Sequence, residues 1–489
     1  MLKRSIQATL WLLAAAPLAA HAFCGFFVSS AGAQLFNDAT MVVLMRDGTR
    51  TVLSMQNNYR GPPDDFALVV PVPVVLTQKQ VRTLPAAVFD RIDALSSPRL
   101  VEEYEPGQCP PPPPMAAGAI PSMPAGAPPR RDLGVKVEAK FDVDEYQIVI
   151  LSAKDSTGLE TWLQQNKYKI PSGAEPYLRP YVQGGSKFFV AKVNAQKVKF
   201  QNGQAVLSPL RFHYDSEGFS LPVRLGLMNS AGTQDLIVHL IGKTRYEIAN
   251  RKSVTVPSNL YLKPSAQQQF GSLYAELLRR TFERNQGAAV TEFAWEGALP
   301  PPRVMQPQGI YGVTCDPCPP PVPVDEPLAR YLGADVIPRL ENVDDAIAAF
   351  ARQATLTRLH MRYGKNTLND DLVFQAAAPI AGGIPEVWKT APAEHNRFQG
   401  RYIIRRPFDV SSCYRGGYGG GAAMPPSMVP SPGLPPSAQG GFAFGATPTL
   451  GSAAPAAAPK PLTDPVEKLL ASDVPELGIK ALSKQAPPR

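Results

Sequence analysis

Three clusters of proline divide this chain. Residues 106–129 hold 10, residues 300–327 hold 10 and residues 414–489 hold 14, together 34 of the 53 prolines in 489 residues. Proline locks φ near −65° and has no backbone N–H, so neither a helix interior nor a central strand runs through such a stretch. The five consecutive prolines Pro110 to Pro114 favour a polyproline conformation. Elsewhere the composition is that of a folding chain. It is 44% hydrophobic, with 21 Phe, 16 Tyr and 4 Trp to fill a core. Glycine shows no three-residue period, which excludes a collagen helix.

The prolines and the N-terminus together suggest seven segments. Residues 1–22 read as a signal peptide, with Lys3 and Arg4 as the basic region, Leu10 to Ala20 as the apolar region and Ala20-His21-Ala22 as the cleavage site. An N-terminal hairpin and helix unit (23–105) precedes a Pro-rich linker (106–132). A central α+β unit (133–299) is followed by a Pro-rich connector (300–327). A helical unit with a closing strand (328–413) and a Gly/Pro/Ala-rich tail (414–489) complete the chain. The tail is expected to be disordered, because it carries too little apolar surface to offset ordering. No segment after the signal is long and apolar enough to span a bilayer as a helix. The expected location is therefore periplasmic, cell-surface or extracellular.

Within these segments the clearest local signal is MVVLMRDGTRTVLSM at 41–55, two apolar runs around Asp47-Gly48, which predicts a hairpin. Strands are expected over 66–75, 146–151, 187–193, 206–212, 221–228, 236–241 and 401–405. Helices are expected over 85–95, around Leu159 to Leu163, and over 266–286. In the last, Ser265 is a candidate cap and Phe270, Leu273, Leu277 and Phe282 share a face. A further helix is expected from Asn342 through Ile347, Phe350, Ala354 and Leu359. Asp464-Pro465 opens a short terminal helix with Val466, Leu469 and Leu470. Together with Leu477, Ile479 and Leu482 it reads either as part of an unstructured tail or as a docking peptide. The roughly 48 residues before it would give a reach of about 35–40 Å if flexible. The fold class is α+β, mostly antiparallel strands with a few amphipathic helices.

The formal charge is +8, with basic residues scattered. Arg279, Arg280 and Arg284 fall in the last turns of helix 266–286, where cations favour the negative end of the dipole. Nucleic acid is not an expected partner; a protein or an anionic envelope polymer is.

All five cysteines, Cys24, Cys109, Cys315, Cys318 and Cys413, lie in the mature chain and are disulfide candidates, at simplest two bridges and one free thiol. Cys315-Asp316-Pro317-Cys318 has the spacing of a redox motif. Such a motif needs a helix N-terminus to lower the thiol pKa, and Pro319 to Pro321 deny the following residues that role. A zinc site would need a second close pair of ligands, and Cys24, Cys109, Cys413, His213, His239, His360 and His395 are single and scattered. Gly242-Lys243-Thr244 lacks the earlier glycine of a phosphate-binding loop, and Gly417 to Ala422 lacks the strand and helix of a dinucleotide fingerprint. Acidic pairs at Asp64-Asp65, Asp344-Asp345 and Asp370-Asp371, and the cluster Asp142, Asp144 and Glu145, suit turns and helix starts. No catalytic residue, cofactor or metal is expected from these patterns.

Several segments resemble the exported bacterial family known as domain of unknown function 2330: Phe23 to Phe26 (FCGF), Arg46 to Thr51 (RDGTRT), Asp65 to Pro73 (DFALVVPVP), Leu221 to Gly226 (LPVRLG), Cys315 to Cys318 (CDPC) and Phe398 to Tyr402 (FQGRY). The resemblance implies an exported protein with cysteine staples and brings no catalytic residues. The expectation is an uncharacterised, non-enzymatic envelope protein that binds or scaffolds. The alternatives are a thiol–disulfide protein using CDPC, or a hydrolase using an acidic pair.

Overall fold

The computed structural model describes residues 26–29, 36–37, 40–56, 59–60, 66–104, 138–165, 174–201, 204–229, 232–297, 326–336, 353–383, 390–407 and 462–482. Residues 1–22, the five cysteines, residues 106–132, nearly all of 300–327 and residues 414–461 lie outside them.

The hairpin forms where RDGT predicts it. Strands Thr40–Asp47 and Arg50–Gln56 pair antiparallel, with Asp47 opposite Arg50. The two turn residues are therefore Gly48 and Thr49, one step later than the Asp-Gly pair suggests. Gly48 takes φ 58°, which only glycine adopts freely. Around this hairpin an eleven-stranded sheet assembles. Its central order is Ala289–Glu296, Thr355–Tyr363, Gln234–Gly242, Thr40–Asp47, Arg50–Gln56 and Leu210–Asp215. Neighbours are antiparallel except Thr40–Asp47 with Gln234–Gly242, which run parallel. Segments on both sides of the Pro-rich stretches at 106–132 and 300–327 thus share one sheet.

One face of this sheet packs on a second, five-stranded antiparallel sheet that includes Phe66–Val72, Lys187–Val193 and Tyr146–Ser152. Alternation builds the shared core: Val42 and Leu44, Leu236 to Leu240 by twos, and Leu359, Met361 and Tyr363 meet Leu68, Val70, Ile148 and Phe189. Two helices cover the far face of the smaller sheet, and a third packs on the far face of the large one. There, α1 (Ala87–Ser96) packs against Val43, Met45, Ile241 and Leu356 of the large sheet. The covering pair is α2 (Ser156–Gln165) and α3 (Glu175–Gln183), which bury Leu159, Leu163 and Leu178 against Val69 and Phe188. The result is four layers, helix–sheet–sheet–helix, in an α+β fold of mostly antiparallel strands.

Helix α4 (Phe270–Arg284) also lies on the outer face of the large sheet, preceded by a 3₁₀ turn over Pro264–Gln269. Phe270, Leu273, Leu277, Leu278 and Phe282 are buried, as their spacing predicts. No side-chain cap forms at its start, so Ser265 does not cap it; the proline-initiated turn supplies the entry instead. A short helix, α5 (Glu326–Leu332), packs beside α1. Arg211 anchors its end by donating to the Arg330 and Tyr331 carbonyls at 3.1 and 2.8 Å. Finally, residues 462–482 are ordered on α4. They hold a single turn, α6 (Val466–Leu469), and bury Val466, Leu469, Leu470, Val474 and Ile479 in the core around α4. This part of the tail is folded, with the short helix where Asp464-Pro465 opens it, because α4 supplies the apolar surface it lacks.

Two sequence-based expectations are overturned here. Ala354 and Leu359 do not lie on a helix from Asn342: Thr355–Tyr363 is a strand, ordered by ladders on both sides. Residues 341–352 lie outside the described residues. Leu221 to Met228 is not a strand either. Ser220–Leu221 pairs briefly, and Arg224–Asn229 is a 3₁₀ helix, initiated by amide-to-carboxylate bonds described below. The strand expected over 206–212 is two, Gln204–Val206 and Leu210–Asp215, separated at Pro209.

Candidate functional site

Strand Thr355–Tyr363 places Arg358, His360 and Arg362 on one face, two residues apart, pointing toward α1 and α4. Opposite them stands Glu292, fully buried. It is the extra residue where the ladder between Ala289–Glu296 and Thr355–Tyr363 slips between Thr291 and Phe293. That bulge turns the Glu292 carboxylate into the helix layer. Arg358 Nε donates to Glu292 Oε2 at 2.5 Å, the His360 Nδ1 lies 3.2 Å from Oε1, and the Tyr274 hydroxyl of α4 donates to the same oxygen. Arg358 also donates to Asp93 of α1. At the other end, Arg362 binds Asp235 of Gln234–Gly242 through two bonds of 2.8 Å, and His360 Nε2 is 3.6 Å from Asp235.

Electrostatics set the protonation states. Burial disfavours charge on Glu292, but Arg358 and His360 outweigh it and hold the carboxyl well below its usual range. Asp235 is likewise depressed, burial being overcome by His360 and Arg362. Burial pulls His360 toward neutrality, yet the two carboxylates raise its pKa to about 9. His239, fully buried on the neighbouring strand, goes the other way. Burial and the Arg358 charge lower its pKa to about 3, so it is a neutral imidazole. Three cations (Arg358, His360, Arg362) and three carboxylates (Asp93, Glu292, Asp235) therefore form a charge-balanced buried chain. Ser96 lies 3.0 Å from His239 Nε2, the spacing of a nucleophile and its base. Both are fully buried, however, and the Ser96 hydroxyl donates to the Ile92 carbonyl at 2.8 Å. That geometry secures α1 on the sheet.

The chain of charges reaches the surface at Arg362. There, a groove of about 740 Å³ lies between the end of α4 and the turn at Gly364 to Thr367. Arg279, Arg362, Lys365 and the Phe282 ring line it, with Glu283 as its one acidic lining residue. The Arg362 guanidinium sits 5.3 Å over the Phe282 ring. Lys365 is exposed; Arg279 is engaged by Glu276 and Glu283 on its own helix. Arg280 instead pairs with Glu276 and reaches Glu467 of the terminal segment at 3.0 Å. Arg279 and Arg280 thus hold carboxylates, while Arg284 stands in the last turn of α4, where its charge faces the negative end of the dipole.

The other residues singled out in the sequence have structural partners where they are described. One Asp371 oxygen accepts from the amides of Val223 and Arg224 and from the Tyr181 hydroxyl, starting the 3₁₀ helix at Arg224. Glu145 accepts from the Ser208 amide at 2.6 Å, and Asp144 from Thr83. Gly242 packs under Tyr246, where a methyl group would come within 2.6 Å of the ring, and Lys243 lies 3.5 Å from Asp47. His213 has its pKa lowered to about 4 by burial and by Arg50, Arg211 and Arg82. His395 pairs with Glu296. Asp64, Asp65, Asp344, Asp345 and the cysteines lie outside the described residues. Among the described residues, no group of three or more His, Cys, Asp or Glu could hold a metal ion, and no helix is long and apolar enough to cross a membrane.

A four-layer α+β body with a self-neutralised charge chain and a cationic groove defines a class by architecture alone. The chain belongs to the family described as an uncharacterised protein conserved in bacteria, domain of unknown function 2330, whose family model matches residues 18–375. The hairpin, DFALVVPVP, LPVRLG and CDPC motifs lie inside that span, and FQGRY lies beyond it. Neither a curated protein nor a solved structure matches the chain.

Proposed function

We propose that this protein is an exported, disulfide-stapled envelope protein that acts by binding, and that its ligand is an anionic group of an envelope polymer held in the groove beside α4. The observation that carries this reading is the groove's lining: an exposed Lys365 beside the Phe282 ring, with Arg362 and Arg279 fixed next to it by Asp235, Glu276 and Glu283. A phosphate or carboxylate group would meet Lys365 as a point charge and the rim of Arg362 and Arg279. The buried charges behind Arg362 are balanced among themselves, so they fix the guanidinium instead of attracting a ligand inward. The N-terminal signal pattern supports export, and the oxidising compartment it implies supports disulfides among Cys24, Cys109, Cys315, Cys318 and Cys413.

Titration of the mature chain with a short inorganic polyphosphate tests the groove. Binding should weaken as salt rises, because exposed charges are screened over about 8–10 Å. Lys365→Glu should weaken it by about five- to tenfold, a cost of roughly 1–1.4 kcal/mol. Equal affinity for the variant and the parent chain would reject this site.

A further inference from the structure

We infer that the docked terminal segment, residues 462–482, restrains the anion groove from the adjoining face of α4, through ion pairs that run from Glu467 by way of Arg280 and Glu276 to Arg279. The inference rests on the groove being the ligand site proposed above. Residues three and four apart on a helix are neighbours, which lets α4 carry such a relay. Arg279 lines the groove. Glu276, Arg280 and Glu467 instead border a second cleft, of about 380 Å³, between α4 and the terminal segment. Glu276 serves both arginines. Its Oε1 accepts from Arg279 Nη2 at 2.6 Å and from Arg280 Nε at 2.9 Å, and its Oε2 accepts from Arg279 Nε at 2.7 Å. Arg279 thus holds both oxygens, and Arg280 shares one of them. Arg280 completes its pairing on the segment, where Nη2 donates to Glu467 Oε1 at 3.0 Å. Bonding to Arg279 first, and to Arg280 after it, holds the Glu276 carboxyl below its usual range.

Docking of the segment does not depend on the Arg280–Glu467 pair. Leu469 and Leu470 are fully buried in the core around α4. The Lys263 amide donates to the Leu469 carbonyl, and the Ala471 amide to the Tyr261 carbonyl, both at 2.9 Å. The Gln269 side chain accepts from the Thr463 amide and hydroxyl at 3.0 and 2.6 Å. What Glu467 adds is a counter-charge that draws Arg280 away from Glu276. Without it, Arg280 has Glu276 as its remaining carboxylate and competes with Arg279 for both oxygens. Arg279 then keeps Glu283 alone and turns toward a groove anion. The cleft beside Arg280 leaves room for this exchange of partners. A docked segment and an anion on Arg279 therefore oppose each other, and by linkage each weakens the other by the same factor. Pairs as exposed as these carry small energies, so the factor is about two to five.

Titrations of the full chain with inorganic polyphosphate test the relay. Glu467→Gln should bind about two- to fivefold more tightly than the parent chain. Glu476→Gln removes the same charge from an exposed position of the segment and should leave the affinity within about 1.5-fold, since such a charge is screened. With Arg280→Met in place, Glu467→Gln should have no further effect; this double-mutant cycle separates a relay from a general change of charge. Reciprocally, saturating polyphosphate should speed hydrogen exchange at the Ala471 and Lys263 amides by the same factor in the parent chain and not in Arg280→Met. An unchanged affinity for Glu467→Gln, an equal gain from Glu476→Gln, or a gain that survives Arg280→Met would overturn the relay and leave the groove standing. No binding by the parent chain, or binding that Lys365→Glu leaves unchanged, would remove the groove and the relay with it.

Discussion

His360 and His239 lie in the same buried layer and hold opposite protonation states, which shows how closely this layer is set by its neighbours. His360 faces Glu292, Asp235 and the Phe282 ring, with Arg362 beyond. Its folded pKa, about 9, lies above the ordinary value near 6.5. The stability it contributes is thus fully present below about pH 6.5 and is lost as pH rises through 9. Urea unfolding at constant ionic strength should show stability falling by about 1–3 kcal/mol between pH 6.5 and 9. His360→Gln should flatten that slope. The depressed Glu292 and Asp235 act with opposite sign, adding stability above about pH 4.5 that fades as acid protonates them. Removing one member of the chain should cost more than any surface pair. Glu292→Gln leaves Arg358 buried beside a lost charge and should reduce stability by about 3–5 kcal/mol in denaturant unfolding. Replacing Glu283, which is exposed and pairs with Arg279 one turn away on α4, should cost under about 1 kcal/mol.

Among the elements, the hairpin and α4 were legible because their signals are local: a turn glycine between two apolar runs, and a 3.6-residue stripe. Gly48→Ala should destabilise the chain by about 1 kcal/mol in thermal unfolding, since alanine does not adopt φ 58° freely. Leu277→Ala, fully buried in α4, should cost about 2–5 kcal/mol. Strand Thr355–Tyr363 was misread because Ala354 and Leu359 fit a helical count. Its ladders are made with Ala289–Glu296 and Gln234–Gly242, both distant in sequence, where no local pattern reveals them. A usable sign was present, however. Arg358, His360 and Arg362 recur every second residue within an apolar stretch, the period of one strand face. Their partners were not legible, since Asp93, Asp235 and Glu292 come from three other elements. The Arg224 to Asn229 turn was hidden for the same reason: the carboxylate that starts it belongs to Asp371.

At the scale of the molecule, strands from both sides of the Pro-rich stretches at 106–132 and 300–327 lie in one sheet, so those two stretches join parts that fold together. If the protein is exported and stapled as proposed, peptide mapping without reduction should find two disulfide-linked pairs and one free thiol among the five cysteines. Five free thiols would discard the staples. The parallel pairing of Thr40–Asp47 with Gln234–Gly242 carries one more consequence. The hairpin is made early in synthesis, but its neighbour in the sheet arrives nearly 190 residues later, and that neighbour's own partner only at Tyr363. Until then the first strand waits with an unpaired edge, a long-range closure of the kind that folds slowly and invites wrong pairing. The order in which the chain emerges therefore makes completion of the central sheet a late event, and the first third of the sequence depends on the last third to become native.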